Sequence, residues 1–208
     1  QNSKRRKIIA TPKKKHSKEE LDKCRVLTPE FRVAFPHVFK PQAPKGSDKL
    51  KYSVTMMFKK SDDLTSIKNA IKNAKILTYG TKDNWPDDIE SPVTDGDLPK
   101  HANKEGYPGC WIIKASANED RKPGVVDQDV EPIIEPSAFY PGCYARAYVY
   151  AYCWEYMGRH GVSLILDHVQ KTREGKAIGG KKQATEVFTP VNSSAAEEVD
   201  EDLETETW

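Results

Sequence analysis

Along residues 144–156 the side chains alternate with a period of two, and they sort by size as well as by polarity. Tyr144, Arg146, Tyr148, Tyr150, Tyr152, Trp154 and Tyr156 share one parity; Ala145, Ala147, Val149, Ala151, Cys153 and Glu155 share the other. Side chains on a strand point alternately to its two faces, so one face of this strand carries rings and an arginine and the other carries small residues. The small face suits the tight interior of a small barrel or a closely packed layer. The ring face needs something flat to cover it.

The rest of the pattern is also mostly strand. Leu50–Phe58 puts Tyr52, Val54, Met56 and Phe58 on one face. Residues 25–39 alternate through Phe31, Val33 and Phe35 but are broken by Pro29 and Pro36, which predicts an edge strand or a kinked one. Gly161–Gln170 reads as a last clear strand before a loop over 171–182. One helix is expected: Ser61 as its cap, Leu64, Ile67, Ile71 and Ala74 on one stripe, Lys68, Lys72 and Lys75 on another, and an end near Tyr79-Gly80. Residues 81–108 read as a long connecting loop. Tyr107-Pro108-Gly109-Cys110-Trp111 is echoed by Tyr140-Pro141-Gly142-Cys143-Tyr144, each leading into a strand, with turns around a Val125–Ile134 segment between them. Five or more strands, one helix and long loops predict a mainly β chain folded as a small antiparallel barrel or sandwich.

Composition narrows this to one domain with appendages, or two small ones: of 208 residues 37% are hydrophobic and 31% charged, so the core must be compact. No apolar run approaches the roughly 20 residues of a membrane span, and no secretory leader is evident. The cysteines Cys24, Cys110, Cys143 and Cys153 form no Cys-x-x-Cys pair, which argues against a zinc site or a disulfide framework and for reduced thiols in a cytoplasm. The charge is polarised. Residues 197–208 hold seven acids and no base, and taking these off the net charge of +2 leaves +9 for the remainder. Residues 1–25 hold ten Lys or Arg against three acids. The organisation expected is a flexible basic arm over 1–24, a domain over 25–192 and an acidic tail over 193–208 that cannot fold alone.

Rings beside cations are the chemistry of single-strand nucleic-acid binders, in which bases stack on aromatics while Lys and Arg follow the phosphates. The candidate contacts are Trp111, Tyr144, Tyr148, Tyr150, Tyr152 and Trp154 for stacking, with Lys114, Arg121, Arg146, Lys171 and Arg173 for phosphates. The competing reading makes the rings core or a homo-oligomer interface, and residue types alone do not separate DNA from RNA. The tail ends on Trp208 beside a free carboxylate, and a merely solubilising tail needs no terminal aromatic. Asp202, Leu203, Glu204, Glu206 and Trp208 are the expected partner-binding residues, and the tail is also a candidate competitor for the chain's own basic groove. Two carboxylate pairs, Asp95/Asp97 and Asp127/Asp129, raise metal-assisted phosphodiester cleavage, but both sit in turn-rich surroundings where Asp serves local hydrogen bonds. The expectation is a binder, not an enzyme, without metal or cofactor.

The motifs also occur in a telling order: Asp95-Gly96-Asp97, Gly109-Cys110-Trp111, Pro123 through Val126-Asp127, Tyr140-Pro141-Gly142-Cys143-Tyr144-Ala145-Arg146-Ala147, then Gly161-Val162-Ser163-Leu164 through Gln170-Lys171. Over residues 25–190 this set resembles a bacteriophage family, long filed as a domain of unknown function, of single-stranded-DNA-binding replication proteins. The resemblance implies an OB fold, a five-stranded antiparallel barrel whose open face takes oligonucleotides. It also implies a role in phage DNA replication and repair in the host cytoplasm, coating exposed strands. The tail resembles those of replication single-strand binders that recruit DNA polymerase and other replication proteins; those commonly end in Phe, and this one ends in Trp208.

Overall fold

A computed structural model describes residues 16–179 and 188–189. The chain divides into two units, residues 1–178 and 179–208, and the account below concerns the first. The acidic tail, with its five candidate residues, and the arm up to residue 15 lie outside the described residues. Residues 16–24, read from the sequence as the end of that arm, carry structure. Ser17 caps a helix α1 (Lys18–Asp22) in a capping box with Glu20, and Cys24 is fully buried.

Eight strands form one sheet, where the resemblance implied five. They are β1 (Arg25–Leu27), β2 (Phe31–Gln42), β3 (Lys51–Lys59), β4 (Val93–Asp95), β5 (Cys110–Asn118), β6 (Gly124–Val126), β7 (Tyr144–Tyr156) and β8 (Arg159–Arg173). The pairings of five of them run in a ring. β2 pairs β3, β3 pairs β5, β5 pairs β8, β8 pairs β7 and β7 returns to β2; only β5 with β8 is parallel. The three short strands lie beside this ring: β1 on β7, β4 on β5, β6 on β8.

The inner parity of each long strand fills the core. Val33, Val54, Met56, Ile113, Ala145, Ala147, Val149, Leu164 and Leu166 are all at most 1% exposed, and Phe31 meets Phe58 edge-on at 5.6 Å. The small face of β7 is therefore the buried one, as its alternation implies. Alanine at these positions lets the neighbouring layers come close.

Helix α2 (Thr65–Tyr79) packs its Ile67, Ala70 and Ala74 stripe towards β7 and β1. Its start differs from expectation. Ser61 does not cap it; instead the Asp63 carboxylate accepts the Thr65 N–H at 2.8 Å. The end is as the sequence reads, with Gly80 at φ 80° donating its N–H to the Ile76 carbonyl. Both Tyr-Pro-Gly-Cys runs are turns closed by the cysteine N–H on the tyrosine carbonyl, at 3.0 and 3.3 Å. Proline fits the second position of such a turn and a positive-φ residue the third; Gly109 and Gly142 supply φ of 76° and 108°. The echo in the sequence is thus one turn used twice, to launch β5 and β7.

Candidate nucleic-acid interface

Two outer faces of the sheet carry rings and cations together. On the first, β7 displays its predicted row, but the row is largely engaged with the protein itself. Arg25 from β1 lies over Tyr150 at 5.2 Å and Tyr148 at 5.9 Å, and its guanidinium is bound to Asp167. Arg173 stacks on Tyr144 at 3.3 Å and forks onto the Glu30 carboxylate at 2.8 and 3.0 Å. Arg146 donates to Gln170 at 2.7 Å, and Gln170 in turn donates to the Asp127 carbonyl. Trp154 donates its indole N–H to Ser163, and its ring lies over Gly161, where any side chain would collide with it. Lys171 is half-buried, donating to the Ala138 carbonyl and paired with Glu174. Tyr148 remains 38% exposed, and the β7–β8 hairpin ends in the more exposed Tyr156 and Met157.

The second face is the outer side of β2, β3 and β5. The register sets Ala34, Thr55 and Lys114 in one row and His37, Ser53 and Ser116 in the next. The floor is narrow and polar. Its wall is the segment from the short 3-10 turn Pro99–His101 to Tyr107, which was expected to be unstructured loop. This wall is pinned from both ends. Lys60 bridges Asp95 and Asp97, Asp97 accepts the Gly109 N–H at 2.7 Å, and Asp95 accepts the Asp97 N–H at 2.9 Å. The Lys60 hydrogen bonds hold both carboxyls below the usual aspartate range. The Asp95/Asp97 pair is thereby a clamp, and Asp127 is spent on a turn, accepting the Asp129 and Glu131 N–H groups. Tyr107 then seats the wall in a small outer cluster with Ala34, Met57 and Ile112.

Between wall and floor runs a groove of about 470 Å³ lined by three lysines and two histidines, with no acid. Lys100, Lys104 and Lys114 make no ion pair among the described residues. Lys104 sits over the Tyr107 ring at 5.1 Å. Phe35 meets that ring edge-on at 6.3 Å while staying 54% exposed. It reaches this position through the backbone. The β2–β3 register slips between Ala34 and His37, and Phe35 takes φ 44°, a conformation that costs a bulky residue energy and is kept where the surroundings impose it. His101 leans on Tyr107 at 5.2 Å with both ring nitrogens lacking a hydrogen-bond partner. Burial, then Lys114, lowers the His37 pKa; burial, then Lys104 and Lys100, lowers that of His101. Both imidazoles thus hold a proton less readily than a free one.

Of the sequence-predicted contacts, Lys114 alone lies in this groove. Tyr144, Arg146, Tyr148, Tyr150, Tyr152 and Trp154 share the β7 face with Arg173. Arg121 is exposed on the turn after β5. Trp111 has the parity of Ile113 and Ala115, so its ring packs on the core side of β5 beneath Lys60, at 5.2 Å. Phe35, His37, Lys100, Lys104 and Tyr107 were missed. The one signal for Phe35 was Pro36, which forbids an ordinary central strand at that point.

Comparison with known proteins decides the lineage. A family model described as the ssDNA-binding protein of Enterobacter phage Enc34 matches residues 24–203. The chain belongs to that phage family. Protein p50 of Acyrthosiphon pisum secondary endosymbiont phage 1 is 32% identical over 179 residues, covering 81% of this chain and 94% of p50. Among solved structures, the Enc34 single-stranded DNA-binding protein in complex with ssDNA superposes with a TM-score of 0.63 at 20% identity, over 74% of this chain and 89% of that one. The single-stranded DNA-binding protein gp2.5 of bacteriophage T7 gives 0.55 at 13% identity, over 80% and 98%. The fold is shared across this distance although few side chains are.

Proposed function

We propose that this chain binds single-stranded DNA, without strong sequence preference, in the groove between the β2–β3–β5 face and the 99–107 wall. The observation that carries the reading is the groove's composition: three lysines without an ion pair among the described residues, beside exposed and edge-on rings, with no acid in the lining, in a member of a phage single-strand-binder family. Lys100, Lys104 and Lys114 would follow phosphates, and Phe35 with Tyr107 would offer ring surface to bases. The five-strand ring fits an OB fold with three added strands. In that fold the outer face of the second and third strands takes oligonucleotides, and here those positions fall to β3 and β5. The acidic tail would recruit replication enzymes such as a polymerase, and the setting would be the host cytoplasm. The chemistry needs no metal, cofactor or catalytic step.

A second reading keeps the β7 row in contact with DNA, favoured by the exposure of Tyr148 and of the hairpin tip at Tyr156 and Met157. The deciding experiment is fluorescence anisotropy of labelled poly-dT at low and moderate salt, with duplex and RNA of equal length as competitors. Tight, salt-weakened binding that duplex does not compete away supports the proposal. RNA competing better than DNA makes the protein an RNA binder, and no binding at low salt leaves a homo-oligomeric structural protein as the better account.

A further inference from the structure

The lysine stripe of α2 is not used by the DNA groove, and it borders a groove of its own. Lys68, Lys72 and Lys75 along α2 face Lys82 and Trp85 of the following segment, over a floor that includes Trp111. The cavity is about 620 Å³, within the roughly 300–1,000 Å³ typical of ligand clefts. Its lining holds four lysines and no acid, and Ile71 and Val93 make its base apolar. None of the four lysines forms an ion pair among the described residues. Lys75 lies over the Trp85 ring at 5.1 Å. The site thus combines an apolar slot walled by indoles with a rim of four lysines; of these, Lys68 has the carboxylate of Asp63 within electrostatic reach.

This groove lies on the opposite side of β5 from the DNA groove. Trp111 belongs to the inward parity of the strand and Lys114 to the outward one, and the two clefts share no lining residue. A nucleic acid is a poor fit to a slot that is mostly apolar with its charge confined to the rim. The complementary ligand is an acidic peptide bearing one large aromatic side chain. The chain contains such a segment: after Ser194 it runs through seven acids without a base to Trp208.

We propose that the α2 groove receives the acidic C-terminal segment of a second copy of this chain, with Trp208 in the slot between Trp85 and Trp111 and the carboxylates along the lysine rim. Neighbouring copies would be linked tail to groove while the face on the far side of β5 stays open. The link is heterologous, so it propagates along a row instead of closing on a pair. The inference rests on the reading of the tail as a docking peptide but not on the DNA groove.

The test uses full-length chains. Sedimentation velocity at low salt should show concentration-dependent association of the wild-type protein, lost in Trp208→Ala and equally lost in the Lys68→Glu/Lys72→Glu double variant. The first variant keeps an intact groove and the second an intact tail, so mixing the two should restore association. A mixture that stays monomeric, or a wild type that never associates, overturns the proposal. A fluorescein-labelled peptide of residues 195–208 should bind the Trp208→Ala chain, about tenfold more weakly once Lys68 and Lys72 are also reversed. Equal affinity in the reversed chain, or displacement of the peptide by poly-dT, also overturns it; displacement would put the peptide in the DNA groove. Failure of poly-dT to bind at all would sink the single-strand reading while leaving the association result to stand by itself.

Discussion

The β7 face and the β2–β3–β5 face contain the same chemical ingredients, rings and cations, and differ in what those ingredients already touch. On β7, Arg25 is held by Asp167, Arg173 by Glu30 and Arg146 by Gln170, and the rings lie under or beside these groups. On β2–β3–β5, Lys100, Lys104 and Lys114 face one another across a groove without an acid. A cation that has its counter-charge within the protein must break that pair to hold a phosphate, whereas three like charges held close together are relieved by one. The proposal that DNA takes the second face thus rests on unsatisfied chemistry more than on the count of rings.

The most direct way to break the comparison is to invert the groove. A Lys100→Glu/Lys104→Glu/Lys114→Glu chain should keep the fold, because all three side chains are exposed, and should lose about 100-fold or more in poly-dT affinity at low salt. Single Lys→Ala variants should each lower the slope of log affinity against log salt by about 0.7. Wild-type affinity in the triple variant would move the interface to β7. The rings sharpen the same point. Phe35→Ala should weaken binding by roughly 5- to 140-fold, the value of about 1–3 kcal/mol for one base stack. Tyr148→Ala should stay within about twofold, because its ring already carries the Arg25 guanidinium.

What the sequence made legible follows from this difference. The β7 row announces itself because its sequence alternates without a break over 13 residues, and from Ala145 to Ala151 its small face is the buried core as the pattern requires. The turns before β5 and β7 were legible because Pro and Gly state their own dihedral angles. The groove on the β2–β3–β5 face was not legible, for two physical reasons. A bulge at Phe35 breaks the strand period, so a residue whose parity matched Phe31 and Val33 ends up outside. Lys100, Lys104 and Tyr107 come from a turn-rich stretch whose order is supplied by the Lys60–Asp95–Asp97 clamp, a contact between segments 35 residues apart in the chain. Parity alone separated Trp111 from Lys114, but deciding which parity faced outward needed the neighbours of β5.

The same contrast predicts opposite consequences for stability. Ala147 is fully buried in the ring, so Ala147→Leu should cost about 1–3 kcal/mol of unfolding free energy by overpacking, read as a lower denaturant midpoint with unchanged slope. The lysine substitutions in the groove should leave the midpoint nearly fixed. If Ala147→Leu is silent, the close packing of the small face is not what holds β7 in place.

Acidity offers a milder probe of the groove alone. His37 and His101 bind protons less readily in the folded chain than the usual imidazole, through burial first and lysines second. A group with a lowered folded pKa takes up more protons unfolded, so its contribution to stability is full above about pH 6.5 and is lost as pH falls through that value. Bound phosphate reverses the preference, because it favours the imidazolium. Poly-dT affinity should therefore rise several-fold between about pH 7.5 and 5.5 while the free protein loses stability. The Asp95 and Asp97 carboxyls stay ionised over that window because Lys60 holds them low, so the wall stays clamped. A His37→Gln/His101→Gln chain should show a flat affinity profile, and a rise that persists there would locate the proton elsewhere.

The smallest expected effect separates the cost of the groove from its use. Phe35 sits at φ 44°, which glycine adopts without penalty and alanine does not. Phe35→Gly and Phe35→Ala remove the same ring, so they should bind poly-dT equally weakly. They should nevertheless differ in stability, with the glycine chain about 1 kcal/mol the more stable because the relief at positive φ exceeds the added freedom of its unfolded state. Paired thermal melts of the two chains measure that gap directly. A glycine chain that melts below the alanine chain would mean that the bulge is unstrained, and Phe35 would then be exposed as an accident of register. The expected order ties the strain to the ring: β2 holds a bulky residue in an unfavourable conformation at the place where an exposed aromatic borders three lysines that make no ion pair among the described residues, whereas β7 keeps its rings on regular strand backbone where they serve the fold.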